Sequence, residues 1–232
     1  MTGRVAFVCA MPIEHKPIVK KLSLRWEQRN GFDLHIGKLG KKGVLAIVTG
    51  MGTELAGQET RRLLDAVNPI HVVSVGIAGG VDDDVPIGTL VLPEVVVNAN
   101  TGAEFRPHQI GEGEPSGRMW TTDVMTPPDQ VSELAAKGFV ALDMETAAIA
   151  EACEERGVPW SVFRVISDGP ADEVDDEIFK LANQDGTPNI INIMRYVALH
   201  PHRVPRLIAM GKNVQTATNA AADAAIAAVA SL

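Results

Sequence analysis

The side chains that could do chemistry in this sequence stand where apolar runs stop. Glu14 follows Ala10-Met11-Pro12-Ile13. Gly50-Met51-Gly52 and Gly76-Ile77-Ala78-Gly79-Gly80 each close an apolar run. Asp143-Met144-Glu145 precedes a helix-forming stretch, and Arg164 to Asp168 end the last strand-like run. In α/β sheets ligands bind beyond the strand ends, so these five points form one candidate crevice. Carboxylates there could supply a proton or stabilise a developing positive charge. Arg164 lies inside the apolar run 162–166, and a buried guanidinium needs a carboxylate partner or a ligand. Each point also has a structural reading. Glu14 can complement a helix dipole, and Asp143 can cap a helix with Glu145 in its first turn. Asp168 can cap the segment after it, and the glycines can be turns. Gly50-Met51-Gly52 lacks the Lys-Ser/Thr of a phosphate-binding loop. No G-x-G-x-x-G with an acidic residue about twenty positions on follows a strand, which argues against a dinucleotide-binding oxidoreductase.

The elements that must position these groups follow from periodicity and turn chemistry. Residues 5–10 form a short continuous apolar run, as expected of a strand buried on both faces. Residues 32–37, 44–48, 70–75 and 139–142 read as further strands, 90–98 as a long β-rich run, and 160–166 as the last core strand. Thr53 can cap a helix to Val67, with Leu55, Leu63, Leu64 and Val67 in its apolar stripe and Asn68-Pro69 ending it. Residues 144–156 read as a helix closed by Gly157, and 189–199 and 203–230 as helices interrupted near Pro201 and Pro205. Residues 107–118 are rich in Gly and Pro and predict a mobile loop. Alternating strands and helices predict an α/β fold in one domain over residues 1–232.

Composition narrows the partners. The chain has 232 residues with 21 basic and 29 acidic side chains, a net charge of −8, and 46% hydrophobic residues. That excludes a disordered or fibrous protein and argues against a nucleic-acid polymer or an anionic membrane as the main partner. No apolar run reaches the length of a membrane span, and the N-terminus lacks a signal-peptide pattern, so a cytoplasmic protein is expected. Cys9 and Cys153 sit in apolar segments without metal-ligand spacing, so no metal site is predicted. Aromatic residues are scarce: six Phe, three Trp and one Tyr.

Taken together, five motifs carry a family resemblance. They are Ala10-Met11-Pro12-Ile13-Glu14; Gly50-Met51-Gly52; Gly76-Ile77-Ala78-Gly79-Gly80 followed by Gly88-Thr89-Leu90-Val91; Asp143-Met144-Glu145-Thr146-Ala147-Ala148; and Arg164-Val165-Ile166-Ser167-Asp168. In content and order the sequence resembles the purine nucleoside phosphorylase and nucleosidase superfamily, including its methylthioadenosine/S-adenosylhomocysteine nucleosidases. The resemblance implies a three-layer α/β/α sandwich around a mixed sheet, and cleavage of an N-ribosidic bond. It implies that Asp168 protonates the departing purine at N7, with Ser167 shaping its loop. By the same resemblance Glu145 would grip the ribose hydroxyls, beside Asp143, while Met144 would pack on the sugar. Glu14 and Arg164 would position water or sugar, and the backbone of Ile77, Ala78 and Gly79 would lie against the ligand. Val124 and Met125 fall where the family flanks the base.

The family's phosphorylases hold phosphate with an N-terminal Gly-Asp-Pro-x-Arg segment and an Arg before the glycine-rich turn. This chain has Met11-Pro12-Ile13-Glu14 and Ser74 instead. Losing two charge-assisted contacts, at about 1.5–3 kcal/mol each, favours water as nucleophile. No cofactor is implied, and phosphate enters only as the co-substrate of a phosphorylase. Ile77, however, replaces the hydroxyl residue common in the nucleosidases. Gly76-Ile77-Ala78-Gly79-Gly80 and the tail, through Asp185-Gly186, residues 195–201 and 207–211, resemble hopanoid-associated phosphorylases. That extends the expected substrates from 5′-substituted adenosines to lipid-linked ones. Competing readings are a phosphorylase and a non-catalytic nucleoside sensor. The family's members are oligomeric, so a homo-oligomer is expected. His71, His200 and His202 read as surface or cap residues, and Trp26, Trp120 and Trp160 as packing. His108 lies in the 107–118 loop, within possible reach of a ligand. The acidic run from Asp172 to Glu177 reads as a solvated loop or a lid.

Overall fold

A computed structural model of the protein describes residues 3–29, 31–172, 181, 183, 185, 187 and 189–232. Glu173 to Glu177, most of the acidic run expected as a lid, and Gly186 lie outside the described residues.

The first strand, β1 (Arg4–Cys9), is central. It lies parallel to β4 (Lys42–Val48) on one side and to β5 (His71–Gly80) on the other. Covered on both faces, it can be apolar from Val5 onward, and Ala6, Phe7 and Val8 are fully buried. Beyond β4 lie β3 (Phe32–Leu39) and the edge strand β2 (Arg25–Arg29). β2 reads Arg-Trp-Glu-Gln-Arg and is largely exposed, which protects an open sheet edge but hides the strand from hydropathy. Trp26 projects from that edge at 62% exposure and does not pack in the core as expected.

On the other side, β5 leads to β10 (Phe139–Asp143), β9 (Arg118–Thr121), β7 (Val95–Asn98) and β8 (Glu104–Phe105). β11 (Trp160–Asp168) runs parallel to β5 along its remaining edge and also carries the short β6 (Leu90–Val91). Parallel and antiparallel pairs coexist, so the sheet is mixed, as expected. The 90–98 run is two strands, not one. Leu92-Pro93-Glu94 separates them, because proline cannot donate to a ladder.

Helices cover both faces. α2 (Thr53–Val67) and α4 (Thr146–Glu155) pack together on one, burying Leu63, Leu64, Ile149 and Cys153. α1 (Pro12–Leu22) and the long α6 (Val204–Ser231) cover the other with Ile18 and Val229. On α6, Ala217, Ala221 and Ala225 repeat every fourth residue and are fully buried, a small-residue face that brings the helix close to β5 and β11. The three-layer sandwich is therefore present. Two further helices, α3 (Pro128–Ala136) and α5 (Ile190–Leu199), lie outside this pairing. Among the described residues no helix is long and apolar enough to cross a membrane.

Three expectations fail at the N-terminal end of β11. The 107–118 loop is irregular but tied down: His108 N–H donates to Trp160 O at 2.7 Å and Ser116 N–H to Leu92 O at 2.9 Å. His71 is buried, not superficial, with Nε2 at 2.8 Å from Ser161 Oγ. His108 packs edge-on to His71, about 26 Å along the strand from Asp168, so it lies at the wrong end to reach a ligand there.

Candidate active site at the fork of the sheet

The motif glycines 76–80 are not a turn. They continue β5, and Gly76, Gly79 and Gly80 keep extended backbone. β11 follows one edge of β5 from Val72 to Gly79. The other edge forks. Residues 71–74 pair with β1, while Gly79 and Gly80 pair with β10. Between the two partners the N–H of Ile77 is taken by a side chain: it donates to Glu14 Oε1 at 2.9 Å.

Glu14 reaches the fork because α1 starts directly after β1, with Pro12 preset for the first turn. At the third position of the helix its Oε2 accepts from Ala10 N–H and Met11 N–H, both at 3.0 Å. The helix-terminal reading is thus correct, and the same carboxylate also sews α1 to β5. Glu14 is 2% exposed, and burial pushes its carboxyl above the usual range against Arg164 and the three backbone donors.

Arg164 pairs in register with Gly76 and is 1% exposed. Its Nη2 lies 2.8 Å from Asp143 Oδ2 and 3.8 Å from Glu145 Oε2, and its Nη1 lies 3.6 Å from Glu14 Oε1. Nε and Nη2 also donate to Thr146 Oγ1 at 3.2 and 2.9 Å, and Nη2 contacts Ser74 Oγ at 3.4 Å. A Cβ on Gly76 would overlap both the guanidinium and the Glu14 carboxylate, so only glycine leaves room for the pair. Burial works against the Arg164 charge, but Asp143, Glu14 and Glu145 outweigh it and hold the arginine protonated.

Asp143 ends β10, and Glu145 stands at the N-cap of α4. Asp143 Oδ1 accepts from Thr121 Oγ1 at 2.6 Å, and Oδ2 accepts from Thr146 N–H at 3.0 Å and from the Thr146 hydroxyl. Asp143 therefore caps the helix and holds the arginine together. Glu145 Oε1 accepts from Gly52 N–H at 2.9 Å. Its carboxyl is pushed up to about 8 by burial and by Asp143, with Arg164 opposing. Ionised, the three carboxylates set three negative charges against one positive, a net of −2 in a buried site. Such a cluster favours a proton or a cationic ligand.

Asp168 stands apart from this cluster, farther along the same strands. The β11–β5 register shifts between Ile166 and Asp168, leaving Ser167 as the extra residue. Ser167 Oγ donates to Asp168 Oδ1 at 2.6 Å. Gly79 faces Asp168, whose Oδ2 would lie 3.3 Å from a Cβ there. Burial raises the Asp168 carboxyl, Ser167 opposes, and Asp172 adds to the rise. The backbone of Ile77, Ala78 and Gly79 spans the distance between the two groups, about 7–10 Å along β5.

The remaining expected residues are less gathered. Met144 is half-buried between Asp143 and Glu145. Val124 and Met125 are 69% and 38% exposed and stand outside the buried cluster. Their neighbour Asp123 accepts from Thr53 N–H at 2.7 Å and Thr53 Oγ1 at 2.6 Å, so the segment is tied to the start of α2 next to Gly52. Three participants escaped the sequence reading. Thr146 lay inside a quoted motif without a role, the Gly52 N–H belongs to the backbone, and Thr121 sits on a strand too short to stand out.

The phosphorylase superfamily family model matches residues 4–116 and 109–198. A 5′-methylthioadenosine/S-adenosylhomocysteine nucleosidase of Chromohalobacter salexigens is 28% identical over 204 residues, covering 74% of this chain and 87% of that protein. The Marinomonas enzyme of the same description is 28% identical over 169 residues, covering 60% and 73%. Among solved structures, the Colwellia psychrerythraea nucleosidase in complex with adenine superposes with a TM-score of 0.75 at 21% identity, covering 100% of this chain and 96% of that one. The futalosine hydrolase of Helicobacter pylori gives 0.73 at 17% identity, covering 100% and 99%. With the family model spanning most of its length and the same fold in these structures, the chain belongs to the phosphorylase superfamily.

Proposed function

We propose that this protein hydrolyses the N-ribosidic bond of a 5′-substituted adenosine and releases adenine. The observation that carries the reading is the pairing of Arg164, the cation at the centre of the buried cluster, with Asp143, Glu14 and Glu145. An incoming phosphate dianion would meet a guanidinium already shared by three carboxyl groups in a buried site. A sugar gaining positive charge would meet favourable electrostatics at every one of those carboxylates. The similarity to nucleosidases, rather than to phosphorylases alone, supports the same choice.

In this mechanism Asp168 gives its proton to N7 as the C1′–N9 bond breaks and the bonding electron pair leaves with the base. Its raised carboxyl keeps that proton available, and the Ser167 hydroxyl fixes one oxygen so that the other faces the ligand. Glu145 and Asp143 stabilise the cationic sugar, with Glu145 on the ribose hydroxyls and Met144 against the ring. Water adds at C1′ and passes a proton to Glu14, which Arg164 and three backbone donors hold in place. Ile77, Ala78 and Gly79 line the path between the sugar and the acid, and Val124 and Met125 stand at the open side for the base. Cys9 and Cys153 are free, buried thiols, in keeping with a reducing cytoplasmic setting. Exposed Ile191, Met194, Leu199 and Ile208 support assembly as a homo-oligomer.

The test offers methylthioadenosine, S-adenosylhomocysteine, adenosine, inosine and a lipid-linked adenosine to the purified protein in phosphate-free buffer. Adenine release from 5′-substituted adenosines, abolished by Asp168→Asn with binding retained, supports the proposal. No release from any of them would sink it.

A further inference from the structure

The chain leaves β11 at Asp168 and makes one short 3-10 turn, Pro170–Asp172. Asp172 closes that turn from both of its ends. Its Oδ2 accepts from Gly169 N–H at 2.8 Å, and its own N–H donates to Gly169 O at 3.0 Å. The residue so clamped is the one that follows Asp168. An acidic side chain commonly closes such a turn, and here it also sets a like charge near the Asp168 carboxyl and so favours its protonated form. The acidic loop after β5 faces the same turn, with Asp83 Oδ1 at 3.5 Å from where a Cβ on Gly169 would lie. Asp172 thus acts on Asp168 from its own segment, and Asp83 faces the adjoining Gly169 from across the turn. The Glu14, Asp143, Glu145 and Arg164 cluster lies farther back along β5.

We propose that Asp172 is a positioning residue for the acid, closing the turn that aims Asp168 at the base and keeping a second negative charge beside it. This rests on the reading of Asp168 as the general acid. Burial raises the Asp168 carboxyl first, and the Asp172 charge adds to it. A general acid must hold its proton to work, so activity falls as pH rises through its ionisation. Removing the neighbouring charge moves that fall to lower pH.

The experiment measures kcat for adenine release between about pH 5 and about pH 9 for the wild type, Asp172→Asn, Asp172→Glu and Asp168→Asn. The asparagine keeps an oxygen for the Gly169 N–H and loses the charge. In Asp172→Asn the ratio of the rate at about pH 8 to that at about pH 6 is expected to drop roughly threefold or more, and Asp172→Glu restores it. A merely structural residue would lower the rate equally across the range. A pH profile for Asp172→Asn that superimposes on the wild type, with Asp168→Asn inactive, overturns the inference alone. An active Asp168→Asn overturns the assignment of the acid, and the inference with it.

Discussion

Replacing Arg164 with Met removes the positive charge from the middle of the fork while keeping much of the side chain's apolar length. In the native protein that guanidinium is 1% exposed and sits 2.8 to 3.8 Å from Asp143, Glu14 and Glu145. Breaking a buried pair leaves its partner uncompensated and costs about 3–5 kcal/mol. Three carboxyl groups lose their cationic partner at once here, so the upper part of that range is expected where they ionise, toward about pH 8. For a protein of this size that corresponds to about 6–20 °C in Tm. The sign with pH is fixed. Arg164 opposes the burial that raises Glu14 and Glu145. Without it, both bind protons still more tightly in the folded than in the unfolded chain. The stability of the variant is therefore retained at low pH and lost as pH rises above the ordinary carboxylate value. Thermal unfolding at about pH 5 and about pH 8 reads this directly, and the loss should be clearly larger at the higher pH. A loss below about 1 kcal/mol, equal at both pH values, would show that the carboxylates do not depend on the arginine.

Gly76→Ala should cost about 1–3 kcal/mol and most of the activity, because its Cβ overlaps Arg164 and Glu14; urea unfolding and adenine release check it. Glu145→Gln should weaken ribose binding and turnover together, read as a rise in KM with a fall in kcat. The same substitution should flatten stability against pH. The native carboxyl is pushed up to about 8 from an ordinary 4.5, so its proton stabilises the fold below 4.5 and that contribution is lost as pH rises through about 8. Thr146→Val should lower stability by about 1–3 kcal/mol, since it strips a shared hydroxyl from buried Asp143 and Arg164; chemical denaturation measures it.

The parts of this fold that could be read from sequence are those whose burial is two-sided or whose ends carry local signals. β1 is a bare apolar run because β4 and β5 cover it, and α2 has Asn68 in the left-handed region just where its stripe ends. β2 was invisible because an edge strand keeps its charges, and β9 because four residues give too little pattern. The site residues were legible by type, since Arg164 within an apolar run demands partners. Their grouping was not. Nothing local in Gly76-Ile77-Ala78-Gly79-Gly80 says that the glycines prolong a strand, because their small size answers to Glu14 and Arg164, far away in the chain. Likewise Thr146 becomes a bridge only once β10 and β11 lie on either side of β5.

The central claim is that water, not phosphate, attacks the sugar. It is tested by following methylthioadenosine turnover by phosphorus NMR and adenine release together, with and without added phosphate. The carboxylate-bound Arg164 predicts the same rate of adenine release in both cases and no new phosphorus signal. Release that requires phosphate and yields a sugar 1-phosphate would contradict it.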